Sequence, residues 1–333
     1  MNVFQHEGSI MKSLVCTSFG TAPSMAIEER PKPLSRPGYT LIKMHAATVN
    51  QLSGQIRRGL FNKAKAPLVL SNDGAGTVEG SDLFQPGTRV AIYGGGQLGI
   101  TEDGLQQEYV SVKNSHVFEL PDTISLDEGA ALPINYVTAY QALTRVGRIK
   151  PGQTVLISGA AGAVGHALIQ LSRALGARPV AVVSSPLKAE AARKSGAAAV
   201  VDLSTEILSD VVFSLTAGQG ADLAFDPVGG SLLKELIKSV RERGSVVSIG
   251  FAGGAAACLD LAEVVIHEKR LLGYDAWLET DEAVFNAFSA IRAFIEVGAV
   301  RPVIDSEWKL EEYEEAYKRL ASRQAIGTIL LKA

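Results

Sequence analysis

Residues 154–165 read Thr154-Val-Leu-Ile-Ser-Gly-Ala-Ala-Gly-Ala-Val-Gly165, an apolar run that enters a glycine turn and leaves it as a helix. The run predicts a buried strand over Thr154–Ser158, and the pattern from Ala163 onward predicts a helix. Such a turn brings unpaired backbone N–H groups and the positive end of a helix dipole to one point, which suits a pyrophosphate. Gly162 leaves room for phosphate to approach the backbone, and Gly165 lets the helix pack closely on the strand. The first glycine of the usual fingerprint is replaced by Ala160, with Gly159 just before it. Ala160, Ala161, Gly162, Ala163 and Val164 are therefore the candidate phosphate-binding residues.

Outward from this turn, apolar strands and helical stretches alternate: Pro179–Val183, a helix from Leu187, Ala199–Val201, Leu223–Asp226, a helix from Ser231, and Ser245–Ile249. That alternation predicts a parallel sheet with helices on both faces. Upstream lie short β-like runs broken by Gly and Pro, at Tyr39–His45, Gly74–Val78, Thr88–Ile92 and Gln107–Val112. Downstream come helical patterns over Glu282–Val297 and Leu310–Leu320, then a strand-like Thr328–Leu331. The expected class is α/β. A β-rich domain is built from residues 11–133 and 275–333, and a doubly wound parallel-sheet domain, 134–274, is inserted between them. Residues 1–10 read as an extension with no role in the fold, Met11 being a second candidate start.

The end of the second predicted strand discriminates between nicotinamide cofactors. An NAD site places Asp or Glu roughly 20 residues past the glycine turn, to accept from the ribose hydroxyl. Here the chain reads Ser184-Ser185-Pro186-Leu187-Lys188, with Arg193 further along. No carboxylate stands there to repel a 2′-phosphate, and two hydroxyls with a cation suit one. NADPH is the expected cofactor, held by Ser184, Ser185 and Lys188.

Composition excludes several classes. The formal net charge is −3, which offers no electrostatic reason for binding nucleic acid or an anionic membrane. Of 333 residues only Cys16 and Cys258 are cysteine, too few for a disulfide framework or a four-cysteine zinc site. A reducing, cytoplasmic setting follows as the expectation. No apolar stretch approaches the roughly 20 residues that span a bilayer, and the first ten carry no signal-peptide core.

Taken together, Val137-Thr-Ala-Tyr140, Lys150-Pro-Gly152, the glycine turn, Asp226-Pro-Val-Gly-Gly230 and Gly244–Gly250 resemble the medium-chain dehydrogenase/reductase superfamily. Val49-Asn50, Asp73-Gly-Ala-Gly-Thr-Val78, Pro86-Gly-Thr-Arg-Val90 and Glu108-Tyr-Val110 carry the resemblance through the first domain, and all these motifs together resemble, within that superfamily, the quinone oxidoreductase-like (zeta-crystallin-like) branch. The resemblance implies a GroES-like catalytic domain, a Rossmann domain, an active site in the cleft, and a homodimer joined through the Rossmann sheets. It places Asn50 and Thr138 near the nicotinamide and closes the loops bearing Asp226, Val228, Gly250 and Phe251 over the cofactor. The chain departs from the family pattern at Ser53, Gln55 and Gly327-Thr328, and in a shortened loop after Glu79.

Zinc members of the superfamily need Cys and His where Asn50 and Asn72 stand, and amides are poor zinc ligands. His45, on an apolar strand, reads as a core residue. Without a Lewis acid to lower the pKa of an alcohol, hydride addition to an already polarised double bond is the expected chemistry. The substrate class is then a quinone or an α,β-unsaturated carbonyl compound, with Asn50, Tyr93 and Tyr136 as candidate catalytic residues and no metal. Two alternatives stand beside it: an alcohol dehydrogenase of the same superfamily, and an NADPH-binding protein without turnover.

Overall fold

The computed structural model describes residues 9–333. The first eight positions of the expected 1–10 extension lie outside the described residues, and Ile10 is already in a strand, paired with Pro31. The chain divides into two compact units. One runs to Pro133 and takes in Ile304–Gln324 and Thr328–Ala333; the other comprises Ile134–Val303 and Ala325–Gly327.

In the second unit six strands form one sheet, in the order Ala199–Asp202, Arg178–Val183, Thr154–Ser158, Ala221–Asp226, Val240–Ser248, Arg270–Gly273. Every pairing is parallel. By sequence the order is 3-2-1-4-5-6, that of a doubly wound Rossmann sheet, and it reverses between Thr154–Ser158 and Ala221–Asp226. Ligands of such sheets bind beyond the carboxyl ends of the strands at this switch point. The strands read as apolar runs because both faces are covered. Leu156, Val180, Val182, Val201 and Val246 pack with Val212, Leu233 and Leu236 from the helices. Each such side chain contributes roughly 1.5–3 kcal/mol by leaving water.

The helix Asp281–Glu296 belongs to this unit, not to the β-rich domain to which the sequence pattern assigns 275–333. Its partners explain the grouping. Gln141 Nε2 donates to Ala283 O at 3.0 Å, and Arg145 forks onto Glu279 at 2.6 and 3.1 Å. The apolar pattern was legible; which core it enters is not a local property.

The first unit holds a three-stranded antiparallel sheet, Ser24–Pro31, Ile10–Ser18, Leu68–Val69, and a seven-stranded sheet centred on Tyr39–Val49. Thr328–Lys332 pairs antiparallel with the end of Tyr39–Val49, bringing Ile329 opposite Val49. The other edge of Tyr39–Val49 pairs with Asp73–Gly80. This is the GroES-like β-rich arrangement, and it brings Thr48, Asn50, Asn72 and Asp73 to one end of the sheet. Among the described residues, no helix is long and apolar enough to cross a membrane.

Candidate functional site

The glycine turn at the switch point fits a dinucleotide. Gly159 adopts φ +55°, so it supplies the left-handed residue that Ala160 could not take without strain. Gly162 N donates back to Gly159 O at 2.8 Å, and Gly162 then caps the helix Ala163–Ala174 with no side chain closing its first turn. A Cβ on Gly165 would lie 2.3 Å from Gly159 O, so helix and turn meet only because it is absent. A Cβ on Gly162 would meet only Gly159 O, at 3.3 Å. That open side, above uncapped N–H groups, is the space a phosphate would fill. Ala160 and Ala161 are buried and shape the turn from beneath.

Two residues support this turn in ways the sequence does not show: Gly327, noted there only as a departure from the family pattern, and His166. Gly327, with φ +99°, pairs with Gly162 and donates to Ala161 O at 3.0 Å, so the returning tail buttresses the turn. His166, in the first turn of the helix, is 2 % exposed and its Nδ1 lies 2.6 Å from Ser195 Oγ. Burial pushes its pKa down to about 4, so it adds no cation to the phosphate site. Its place after Gly165 was the only available signal.

At the end of Arg178–Val183, Ser184 is exposed and accepts from Lys188 Nζ at 3.3 Å. Ser185 caps the helix Pro186–Lys194, accepting from Lys188 N. Ser184 and Lys188 are thus brought together, while Arg193 falls in the last turn of that helix. The nearest carboxylate along the chain, Glu190, pairs with Lys194 at 2.7 Å.

Asp226 is wholly buried. Its Oδ1 accepts from Ser158 Oγ at 2.5 Å and from the N–H groups of Val228 and Gly229 at 3.0 Å. Through Oδ1 it shapes the loop from within, while its Oδ2 is buried with no hydrogen-bond partner among the described residues. Val228 leans on Gly159, and Gly253 N donates to Val228 O at 2.7 Å, joining the loop of Gly250 and Phe251 to that of Asp226. Phe251 is 55 % exposed. Thr138 is buried in the helix Pro133–Gln141. Tyr136 is 1 % exposed and donates to Gln170 Oε1 at 2.9 Å, an interior geometry that argues against it as a proton donor.

In the first unit Asn50 caps the helix Gln51–Arg57 in a reciprocal capping box with Ser53. Its Oδ1 accepts from Ser53 N at 2.9 Å, and its Nδ2 donates toward Asn72 Oδ1 at 2.9 Å and Asp73 Oδ1 at 3.0 Å. Asp73 also accepts from the buried Thr48 hydroxyl. Tyr93 ends its strand 4 % exposed, beside Gly94. Tyr317 Oη donates to Gln106 Oε1 at 3.2 Å, and burial raises its pKa to about 12. His45 is not a core residue. Its side chain is 36 % exposed and lies 2.9 Å from Asp127 and 3.0 Å from Lys332, because the strand reaches the surface there. Among the described residues, no three His, Cys, Asp or Glu side chains gather as a metal site.

Comparison with known proteins places this geometry. The alcohol dehydrogenase GroES-like domain model matches residues 36–122, and the zinc-binding dehydrogenase model matches 163–290. The human synaptic vesicle membrane protein VAT-1 homolog is 28% identical, over 97% of this chain and 86% of its own. Rat quinone oxidoreductase-like protein 2 is 28% identical, over 96% of this chain and 91% of its own. A solved NAD-dependent alcohol dehydrogenase superposes with TM-score 0.88 at 26% identity, over 97% of this chain and all of that one. The chain belongs to the medium-chain dehydrogenase/reductase superfamily of oxidoreductases, in its quinone oxidoreductase-like branch.

Proposed function

We propose that this protein uses NADPH to reduce a quinone or an α,β-unsaturated carbonyl compound without a catalytic zinc. The observation that carries the cofactor reading is the Ser184–Lys188 pair, with a hydroxyl and an ammonium where an NAD site sets a carboxylate. The uncapped helix start at Gly162–Val164 would take the pyrophosphate, and the loops of Val228 and of Gly250–Phe251 would cover the nicotinamide end. When bound, NADPH supplies the hydride. The protein's own part is to hold the acceptor in line with the cofactor; the proton would come from water or a nearby hydroxyl.

The absence of zinc chemistry is supported by the donor set. Asn50 and Asn72, where zinc members carry Cys and His, are hydrogen-bonded to each other, and Asn50 also to Asp73. We further read a cytoplasmic homodimer, joined through the Arg270–Gly273 edge of the parallel sheet. Among the described residues that strand pairs with Val240–Ser248 alone, and it follows the exposed Leu261, Val265 and Ile266 in the chain. One observation favours a second reading: the superposed structure is described as an NAD-dependent alcohol dehydrogenase. Absorbance at the reduced-nicotinamide band separates the two. NADPH oxidation across a panel of quinones, enones and alkenals supports the first. Alcohol-dependent NAD reduction with no turnover of that panel overturns it.

A further inference from the structure

Ser71 adopts φ +75°, in the left-handed region, at a position that is 2 % exposed. A non-glycine residue held there is strained, and such strain persists only where neighbours impose it. Ser71 Oγ donates to Asp73 O at 3.1 Å, bending the chain so that Asn72 and Asp73 both face Asn50. On the other side of the bend, the segment 94–105 packs directly onto the backbone of residues 69–72. Gly94 N donates to Asn72 O at 2.7 Å, Gly104 N to Val69 O at 2.8 Å and Leu105 N to Leu70 O at 3.0 Å. A Cβ on Gly99 or Gly104 would lie 2.5 or 2.1 Å from Ser71 O.

The side chains of this corner form a directed chain. A carboxylate only accepts, so Asp73 requires the NH2 of Asn50 and the hydroxyl of Thr48. Asn50 is thereby oriented with Oδ1 on its helix cap and Nδ2 inward. That Nδ2 also donates to Asn72 Oδ1, which turns the Asn72 NH2 the other way, to Gly95 O at 3.4 Å. The polarity set by one buried acid thus runs through two amides and ends on the glycine loop. Gly95 to Gln97 form the tip of that loop, with Gly96 and Gln97 exposed, while Leu98 and Ile100 anchor it.

We infer that Asn72 is a positioning residue that latches the Gly94–Gly104 loop to the Asn50 cap, and so sets the shape of the acceptor-binding face of this unit. The link to the acceptor rests on the reductase reading above; the latch itself does not. Asn72→Asp is the direct test, because it keeps size and the acceptor for Asn50 but replaces the donor to Gly95 O with a repelling oxygen. Hydrogen exchange of the Gly94–Gly104 amides in the full chain should accelerate about tenfold, the scale of one lost hydrogen bond. NADPH affinity should stay at the parental value while the acceptor KM rises about tenfold, and Asn72→Gln should recover part of both effects.

Asn72→Ser, which is polar but too short to reach Gly95, serves the same test should the Asp variant not fold. Parental exchange in the loop of either folded variant overturns the latch. Accelerated exchange with unchanged acceptor KM overturns its role toward the acceptor. A parental protein that reduces no quinone or enone would sink the reductase reading, and the exchange measurement would still decide the latch.

Discussion

Reversing the charge at Lys188 tests the cofactor reading most directly. Lys188 lies half-buried in the first turn of the helix Pro186–Lys194, with its Nζ 3.3 Å from Ser184 Oγ at the end of the preceding strand. A charge-assisted hydrogen bond from it to a 2′-phosphate would be worth about 1.5–3 kcal/mol if buried. Partial exposure and salt reduce that to about 1 kcal/mol. Lys188→Glu removes this and adds a repulsion of similar or larger size, for about 2–3 kcal/mol in all, a loss of about 30–150-fold in NADPH affinity. NADH has no 2′-phosphate and should change by less than about threefold on the same scale. The fold should not suffer, because a carboxylate in the first turn of a helix is favourable to its dipole. Fluorescence titration of both cofactors with parent and variant gives the four constants needed. A parent that binds both equally, or a variant that weakens both alike, refutes the reasoning.

Three further outcomes are expected. His166 has its pKa pushed from 6.5 down to about 4 by burial, so the unfolded chain binds the extra proton first and native stability falls as pH drops through that window. Urea unfolding at pH 7 and 4.5 should show His166→Gln escaping about 2–3 kcal/mol of the parental acid loss; identical pH dependence in both would contradict a buried neutral imidazole. The purified protein should keep its reductase activity in a strong chelator, and activity lost with chelation and regained with zinc would overturn the reading of Asn50 and Asn72. Gly162→Val keeps an ordinary φ of −80° and crowds Gly159 O at 3.3 Å, so it should cost some stability without unfolding the domain, yet it should abolish NADPH fluorescence enhancement. Parental binding by that variant would move the pyrophosphate away from this turn.

The features visible in the sequence are those whose causes are local. A strand, a left-handed glycine and an uncapped helix start occupy twelve consecutive residues, and Gly165 is required by an atom only six positions away, Gly159 O. Lys188 near Ser184 likewise follows from one turn of helix, whereas Ser185, expected to hold a phosphate, is the cap of that helix. The polar corner of the first unit has a different origin. Asn50 meets Asn72 and Asp73 because Tyr39–Val49 pairs antiparallel with Asp73–Gly80, and the pairing sets residues more than twenty positions apart at the same end of the sheet. Pattern alone shows that both segments are strands and leaves open which polar residues their register brings together. The same holds for Tyr136, whose hydroxyl could not be known to face Gln170 on another helix. Asn50 illustrates the consequence for function. As a residue type it suits a nicotinamide neighbour, but its Oδ1 is committed to a helix cap and its Nδ2 to Asn72 and Asp73. On the proposed function, any effect it has on chemistry would pass through the groups it orients, which is why the test of this site falls on Asn72 and on the loop it holds.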